Sequence, residues 1–392
     1  MLSHSRVKMP HELRGRMKAA VLGSGLMGSI IAWDLARSPR TDKVVVADID
    51  GEKLAALKRR IGGKKLSVEV VDLRDEAKAE RFLDGFDVVA SALPHGVVHP
   101  ADVAAVKAGA RVVDIAFEDA QMGMDRDARK HAALLIPGAG LAPGLGGILL
   151  AHAVRTLKGA DEGHIMVGGI PEKPLPPFDY RLVFSVVGLL REYIEEARVF
   201  RGGELVKIPP FSKVEKVEFP EPIGTLEAFC TDGLASLVYT MRGMRILDEK
   251  TLRWPGHVEK MKVLMEAGFF SKDKVDVAGT PVSPLDVSYA VLARKLSEGD
   301  PHDVTVMRVI AKSASQETVY EMVDRYDDKN GITSMGKTTG YTASIIAQMA
   351  GSGELGSKGV VPPETAVRGS RVGKLLSELN RRGVVISELR RR

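Results

Sequence analysis

The feature that most constrains this chain is a set of three glycines, Gly23, Gly25 and Gly28, that directly follows a short apolar run. The spacing Gly-x-Gly-x-x-Gly between a buried strand and an apolar helix pattern predicts a strand–loop–helix unit that binds a dinucleotide. Gly23 permits the tight turn, Gly25 leaves the backbone open to a pyrophosphate, and Gly28 lets the helix pack close to the strand. The helix would begin at Leu26 and Met27, where free N–H groups can bind the phosphates.

An acidic residue, Asp48, closes the next predicted strand, at about the 20-residue spacing beyond Gly28 that is typical of a ribose-binding acid. Its carboxylate can accept hydrogen bonds from the ribose hydroxyls and would repel a ribose 2′-phosphate. We therefore expect NAD as the cofactor. Lys53, Lys58 and Arg59 lie near enough in the sequence to leave NADP as an alternative.

Short apolar runs alternate with helical patterns between Met17 and Pro143. This alternation predicts a Rossmann-type, doubly wound parallel sheet of the α/β class. Because ligands bind beyond the carboxyl ends of parallel strands, we expect further cofactor contacts after strands three, four and five. The residues at those positions are Asp72, then Ala92, Leu93 and Pro94, then Asp114 and Ile115.

The pattern changes after Pro143. The segments Val304–Ala311 and Thr318–Asp324 alternate apolar and polar residues across a polar turn, which predicts an antiparallel hairpin. An α+β substrate domain with a mostly antiparallel sheet is expected there. The predicted organisation is a disordered tail at 1–16, a dinucleotide-binding domain at 17–143, a substrate domain at 144–334 and a C-terminal segment at 335–392.

Charge and composition exclude several classes of protein. The net charge of +5 is spread along the chain and aromatic residues make up only 5%, which argues against a nucleic-acid-binding protein. Cys230 is the only cysteine, so an intrachain disulfide is excluded and a reducing cytoplasm is favoured. No apolar stretch is long enough to span a bilayer. We expect a cytoplasmic protein without a metal or a membrane partner, starting at either Met1 or Met17.

Recognisable segments extend from Met17 almost to the C-terminus. Val88–Pro94 and the turn Gly140-Leu-Ala-Pro-Gly144 resemble the saccharopine dehydrogenase-like family, although Ala142 stands where saccharopine reductases usually carry Asp. Other segments are most similar to the lysine 6-dehydrogenase branch of that family. They are Val167–Pro171, Pro176–Tyr180 with Val183–Ser185, Gly224–Phe229, Arg253–Lys260 and Gly359–Glu364.

The resemblance implies an NAD-dependent oxidative deamination of L-lysine. The ε-carbon would lose a hydride, the resulting imine would be hydrolysed to a semialdehyde that can cyclise, and ammonia would be released. The family architecture also implies that the segment after about Met335 returns to the first domain. Second domains of this type often support pairing, so we expect a homodimer or a higher homo-oligomer.

This chemistry requires a proton acceptor and a partner for the substrate's α-carboxylate. We expect His257 as the general base because imidazole titrates near working pH, with Lys260 on the same face of a helix. Candidate substrate contacts are Arg181 and Arg253 for the carboxylate, Tyr180 for the shape of the pocket and, by the family resemblance, Asp125 for the amine.

Two other functions fit the same sequence. One is a saccharopine or carboxynorspermidine reductase, which joins an amine to a semialdehyde by NAD(P)H-dependent reductive condensation. Ala142 argues against the saccharopine-forming reaction. The other is a non-catalytic dinucleotide-binding sensor, because a fold does not determine a function.

Overall fold

The computed structural model describes residues 16–94, 96–356 and 358–391. All but the last residue of the tail predicted at 1–16 therefore lies outside the described residues. The chain forms two compact units, each made of two segments. The first comprises Met1–Ala139 and Gly340–Val367, and the second comprises Gly140–Thr339 and Arg368–Arg392.

The strands, in chain order, are β1 (Met17–Leu22), β2 (Thr41–Asp48), β3 (Leu66–Val70), β4 (Val88–Ser91), β5 (Arg111–Asp114), β6 (Leu134–Ile136), β7 (Glu162–Pro171), β8 (Ala197–Arg201), β9 (Glu204–Ile208), β10 (Val214–Phe219), β11 (Gly224–Cys230), β12 (Ile246–Arg253), β13 (Val275–Val277), β14 (Thr280–Val282), β15 (Asp303–Lys312), β16 (Glu317–Arg325), β17 (Gly359–Val360) and β18 (Ser387–Arg391).

The helices are α1 (Leu26–Arg37), α2 (Gly51–Ile61), α3 (Glu76–Leu83), α4 (Val98–Lys107), α5 (Asp119–Met122), α6 (Asp125–Lys130), α7 (Leu145–Thr156), α8 (Val186–Ile194), α9 (Leu237–Thr240), α10 (His257–Glu266), α11 (Pro284–Lys295), α12 (Ser334–Gly351), α13 (Pro363–Ala366) and α14 (Ser370–Arg381). None of them, within the part of the chain that is described, is long and apolar enough to cross a membrane.

The first unit is built around a parallel sheet. Among the described residues it has seven strands in the order β17-β6-β5-β4-β1-β2-β3, and every pairing is parallel. The central strands read as short Val- and Ala-rich runs with buried side chains, as is typical of a parallel sheet that helices cover on both faces. The order reverses at β1, which is where doubly wound sheets bind their ligands.

The second unit contains a mixed sheet. Its main path in the described chain runs β10-β11-β12-β7-β15-β16-β18, with the β8–β9 hairpin attached to β12. The pair β12–β7 is parallel, whereas β7–β15 and the hairpin β15–β16 are antiparallel. Helix α7 packs so closely on one face that a Cβ at Gly163 of β7 would lie 3.0 Å from Leu150. We call this the helix-covered face. Glu249, Thr251 and Arg253 of β12 belong to it, because β12 pairs in register with β7 and side chains alternate along each strand.

The predicted fold class is confirmed, but the predicted return of the C-terminal segment to the first domain needs correction. Only residues 340–367 of the C-terminal segment belong to the first unit. Residues 368–392 belong to the second, where α14 buries Val372, Leu375 and Leu379, and β18 pairs with β16.

Candidate active site

The glycine loop of the first unit has the geometry that its spacing predicts. Gly23 has a φ of +92°, and a Cβ there would lie 2.6 Å from the Ala92 carbonyl oxygen. A Cβ at Gly28 would lie 2.0 Å from the Gly23 carbonyl oxygen, whereas one at Gly25 would meet no protein atom within 4 Å. Gly23 and Gly28 are therefore required by the protein's own packing. Gly25 faces open space, where a phosphate could approach the backbone.

The start of α1 can receive negative charge. Gly25 precedes Leu26 and Met27 and has no side chain to cap the helix, and the first turn contains no acidic residue. The first N–H groups of a helix have no partner within the helix, and they carry the positive end of the helix dipole. This helix end therefore suits the pyrophosphate of a dinucleotide.

Asp48 is held against the glycine loop. Its Oδ2 accepts hydrogen bonds from Ser24 N at 2.6 Å and from Ser24 Oγ at 2.7 Å, and its Oδ1 accepts one from Asp50 N at 3.0 Å. Partial burial raises the pKa of Asp48, but the hydrogen bonds from Asp50 and Ser24 outweigh it and hold the pKa below its usual value. The carboxylate is thus ionised and oriented. Ser24 was not among the sequence candidates, although its place inside the glycine motif was a usable signal.

Two exposed apolar side chains flank Asp48. Ile49 follows it directly and is 56% exposed, and Val70, which pairs with Asp48 across β2 and β3, is 62% exposed. Exposed aliphatic side chains at the carboxyl ends of parallel strands suit the flat face of an adenine ring. The sequence prediction missed both residues, since exposure cannot be read from an apolar letter.

The structure does not favour a cofactor contact by Asp72. Its two carboxylate oxygens accept hydrogen bonds from Arg74 Nε and Nη2, each at 2.9 Å. The Arg74 hydrogen bonds lower the pKa of Asp72 to about 2. After β4, in contrast, Ala92 and Leu93 are partly exposed and Pro94 is exposed, so these three remain candidates beside Gly23.

Asp114 is also a poor cofactor ligand, because it is fully buried. Its Oδ2 accepts a hydrogen bond from Gln121 Nε2 at 2.9 Å and its Oδ1 accepts one from Ala116 N at 3.0 Å. Gln121 donates in the same way to Asp102 at 2.6 Å, and burial raises the pKa of Asp114 well above its usual value. Asp114 therefore shapes the loop after β5, whereas the neighbouring Ile115 is partly exposed and remains a candidate.

The carboxylate of Asp125 forms hydrogen bonds within the first unit. Its Oδ1 accepts a hydrogen bond from Val360 N at 2.9 Å, and its Oδ2 accepts one from Arg129 Nε at 2.8 Å. The carboxylate joins α6 to β17. A contact with a substrate amine, as the resemblance suggested, is not favoured because both oxygens are already used.

In the second unit, His257 is completely buried at the start of α10. Its Nδ1 lies 2.7 Å from the Phe178 carbonyl oxygen, and its Nε2 lies 2.8 Å from the Tyr193 hydroxyl. A carbonyl oxygen can only accept, so Nδ1 carries the proton and Nε2 accepts the hydrogen bond of Tyr193. Burial and the charge of Arg253 lower the pKa of His257 to about 3. The structure does not favour His257 as a general base, since its only lone pair is occupied.

Arg253 is the centre of a buried polar cluster. It is 2% exposed, its Nη2 donates to Glu192 Oε2 at 2.5 Å, and its guanidinium lies 4.7 Å from the centroid of the Tyr180 ring. The Arg253 Nε and the Tyr180 hydroxyl are buried and have no partner within the protein. Two of the sequence candidates, Arg253 and Tyr180, are therefore brought together with spare donors.

The remaining sequence candidates in this unit are Lys260 and Arg181. Lys260 forms an ion pair with Asp179. Arg181 has a buried Nε that has no partner in the protein. Lys260 lies on α10 with His257, as predicted, and its charge contributes to the lowered pKa of His257. We infer that Lys260 anchors the start of α10 to the segment that holds Tyr180.

Three acidic side chains around Arg253 were missed from the sequence, namely Glu192 of α8, Glu227 of β11 and Glu249 of β12. Burial raises the pKa of Glu192, although Arg253 offsets part of this effect. Glu249 is 3% exposed, accepts a hydrogen bond from Thr231 Oγ1 at 2.5 Å, and has its pKa raised by burial to about 8. Glu227 pairs with Arg253 in strand register and has a buried Oε2 without a partner. From the sequence alone, acidic residues such as these are expected at the solvated surface.

Two family models match the chain. The saccharopine dehydrogenase NADP binding domain matches residues 19–136, and the saccharopine dehydrogenase C-terminal domain matches residues 140–384. This chain belongs to the saccharopine dehydrogenase family. Membership of this family establishes a nicotinamide dinucleotide as the cofactor, in agreement with the glycine loop and Asp48, and places the chain among oxidoreductases.

Individual relatives are distant. The mitochondrial alpha-aminoadipic semialdehyde synthases of Mus musculus and Bos taurus are each 21% identical, over 95% and 89% of this chain but only 48% and 45% of their own length. The chain thus spans about half the length of the curated relatives it matches. The apo saccharopine dehydrogenase (L-Glu forming) of Saccharomyces cerevisiae has a TM-score of 0.78 at 18% identity, covering 96% of this chain and all of that one. That likeness confirms the fold.

Proposed function

We propose that this family member catalyses the NAD-dependent oxidation of the ε-amine of L-lysine. The main support for an amino-acid substrate is Arg253, whose buried guanidinium has a free Nε–H beside the unpaired Tyr180 hydroxyl. Buried donors without partners favour a ligand that supplies acceptors, and a carboxylate matches a guanidinium best. Bound NAD⁺ would supply the acceptor for the hydride of the ε-carbon.

The choice of NAD over NADP rests on Asp48. Its ionised carboxylate is fixed by Ser24 at the end of β2, where it can accept hydrogen bonds from ribose hydroxyls and would repel a 2′-phosphate. The matching family model is described as an NADP binding domain. Because of Asp48, we expect this chain to prefer NAD, in contrast to that description.

The second unit also offers surroundings that favour loss of the ammonium proton. Tyr193, Phe211 and Phe229 belong to one buried aromatic cluster. An ε-ammonium group that enters apolar surroundings of this kind loses its proton at a lower pH than in water, because burial disfavours its charge. With His257 occupied by Tyr193, we assign this desolvation, rather than an imidazole base, the task of producing the free amine.

The direct test is formation of NADH from L-lysine and NAD⁺, followed by its absorbance, with an assay for ammonia. We expect activity with NAD⁺ and loss of most of it in Arg253→Lys, which keeps the charge but not the planar fork. The matched control is Arg242→Lys, at an exposed position of the same unit. Binding of NAD⁺ without NADH formation from lysine would refute the proposal.

A reductive condensation is the second candidate, because the curated relatives and the yeast structure carry names from saccharopine metabolism. Assays of saccharopine with NAD⁺ and NADP⁺, and of a semialdehyde plus glutamate or a diamine with NADPH, separate the two. Turnover of saccharopine in place of lysine would establish this alternative.

A further inference from the structure

The pair Glu227 and Arg253 forms the most direct charge juxtaposition on the helix-covered face. The two residues are register partners on the antiparallel strands β11 and β12, so their side chains leave the sheet side by side. Phe229, two residues beyond Glu227 on the same face, packs against Tyr193 in the aromatic cluster. Glu227 and Arg253 therefore border the same surroundings as Tyr180.

Arg253, Glu227 and Tyr180 each keep a buried polar atom that forms no hydrogen bond within the protein. Arg253 directs its Nη2 to Glu192 and its Nη1 to the Leu252 carbonyl oxygen, which leaves Nε–H free. Glu227 Oε2 is buried without a partner, as is the Tyr180 hydroxyl. Unpaired buried donors and acceptors destabilise a protein unless something else completes them. Two donors and one acceptor thus await a ligand.

We propose that Glu227 is the receptor for the α-ammonium group of the amino-acid substrate, while Arg253 Nε–H and the Tyr180 hydroxyl receive its α-carboxylate. A zwitterionic head carries both groups on one carbon, as these neighbouring side chains require. A carboxylic acid without the amine would leave Glu227 unpaired, and an amine without the carboxylate would leave Arg253 unpaired. This assignment rests on the proposed lysine oxidation, from which it takes the identity of the substrate.

The pairing of the individual groups supports the same ligand class. Arg253 already forms an ion pair with Glu192, so Glu227 is an additional acidic group beside it. A head group with a carboxylate alone would face this acid unpaired. A head group that carries an ammonium as well pairs both Glu227 and the Arg253 Nε–H, which is how buried polar sites discriminate strongly between analogues.

The test measures binding without turnover. L-norleucine carries the α-amino-carboxylate head on an apolar chain, and hexanoate carries the carboxylate alone. Calorimetric titrations of the NAD⁺-loaded protein with each probe compare wild type, Glu227→Gln and the control Glu204→Gln, an exposed acid on β9. We expect Glu227→Gln to weaken L-norleucine at least about 10-fold. Hexanoate should bind wild type weakly and Glu227→Gln no worse, and Glu204→Gln should match wild type with both.

Three results would overturn the assignment. The first is an unchanged affinity of Glu227→Gln for L-norleucine. The second is absence of L-norleucine binding to the wild type. The third is an equal loss of both probes in Glu227→Gln with the cooperative thermal transition retained, because that loss would reflect carboxylate binding. If L-norleucine binds as expected but lysine yields no NADH, the assignment stands and the proposed function fails.

Discussion

Asp48→Asn tests the cofactor assignment most sharply. The side chain of Asp48 lies at the end of β2 and is held by three hydrogen bonds, two from Ser24 and one from the Asp50 N–H. Asparagine keeps one oxygen that can face Ser24 but loses the negative charge. We expect NADP⁺ to bind more tightly to the variant than to the wild type.

The magnitude follows from Coulomb's law. Two unit charges ~4 Å apart at an effective dielectric constant of ~20 interact by about 4 kcal/mol. Asp48 is only partly buried and Lys53 lies close enough to lower its pKa, so we expect about half of that repulsion to be effective. About 2 kcal/mol corresponds to a change of roughly 30-fold in the ratio of the NAD⁺ and NADP⁺ dissociation constants.

The assay is fluorescence titration with NADH and NADPH, using Glu52→Gln as the control. Glu52 is an exposed acid in the first turn of α2, so its substitution removes the same charge nearby without touching Ser24. Loss of the Asp50 hydrogen bond should lower the free energy of unfolding of Asp48→Asn by about 1 kcal/mol. If both cofactors weaken equally, Asp48 acts by holding the glycine loop, and the argument from 2′-phosphate repulsion is refuted.

Three further predictions follow from individual side chains. Gly28→Ala should lower the free energy of unfolding by about 1–3 kcal/mol, because its Cβ would meet the Gly23 backbone. Gly25→Ala should unfold like the wild type in a thermal melt but bind NADH more weakly, because its Cβ would meet no protein atom. Identical thermal melts of the two variants would contradict this. His257→Asn should lower kcat/KM without removing a limb of its pH profile between about pH 5 and 8, and loss of a limb would restore the imidazole as the base. Burial raises the pKa of Glu249 from 4.5 to about 8. The free energy of unfolding of the wild type should therefore fall relative to that of Glu249→Gln as the pH rises from 4.5 to 8, by up to about 1.4 kcal/mol per pKa unit. Urea titrations that give the two proteins the same dependence of unfolding free energy on pH would refute it.

The first unit was largely predictable because its signals are local. The helix predicted to begin at Leu26 is α1, which begins at that residue because the glycine loop ends there. The side-chain direction at a strand end is not local, and Asp114 consequently proved to be buried rather than directed at a ligand.

The site of the second unit was less predictable because its contacts join distant segments. His257 looked like a base until Tyr193, from α8, and Phe178 were seen to occupy its ring nitrogens. Glu227 gave no signal at all, since its significance depends on its register with Arg253. The strand β18 lacked an apolar pattern because all its side chains are exposed, so its return to the second unit was missed.

The most direct test of the central claim is the stoichiometry of one reaction, L-lysine with NAD⁺, measured for NADH and for ammonia in the same sample. The account predicts equal amounts of the two products, with NAD⁺ preferred over NADP⁺. It is contradicted if lysine gives neither product while saccharopine with either cofactor gives the reduced nucleotide.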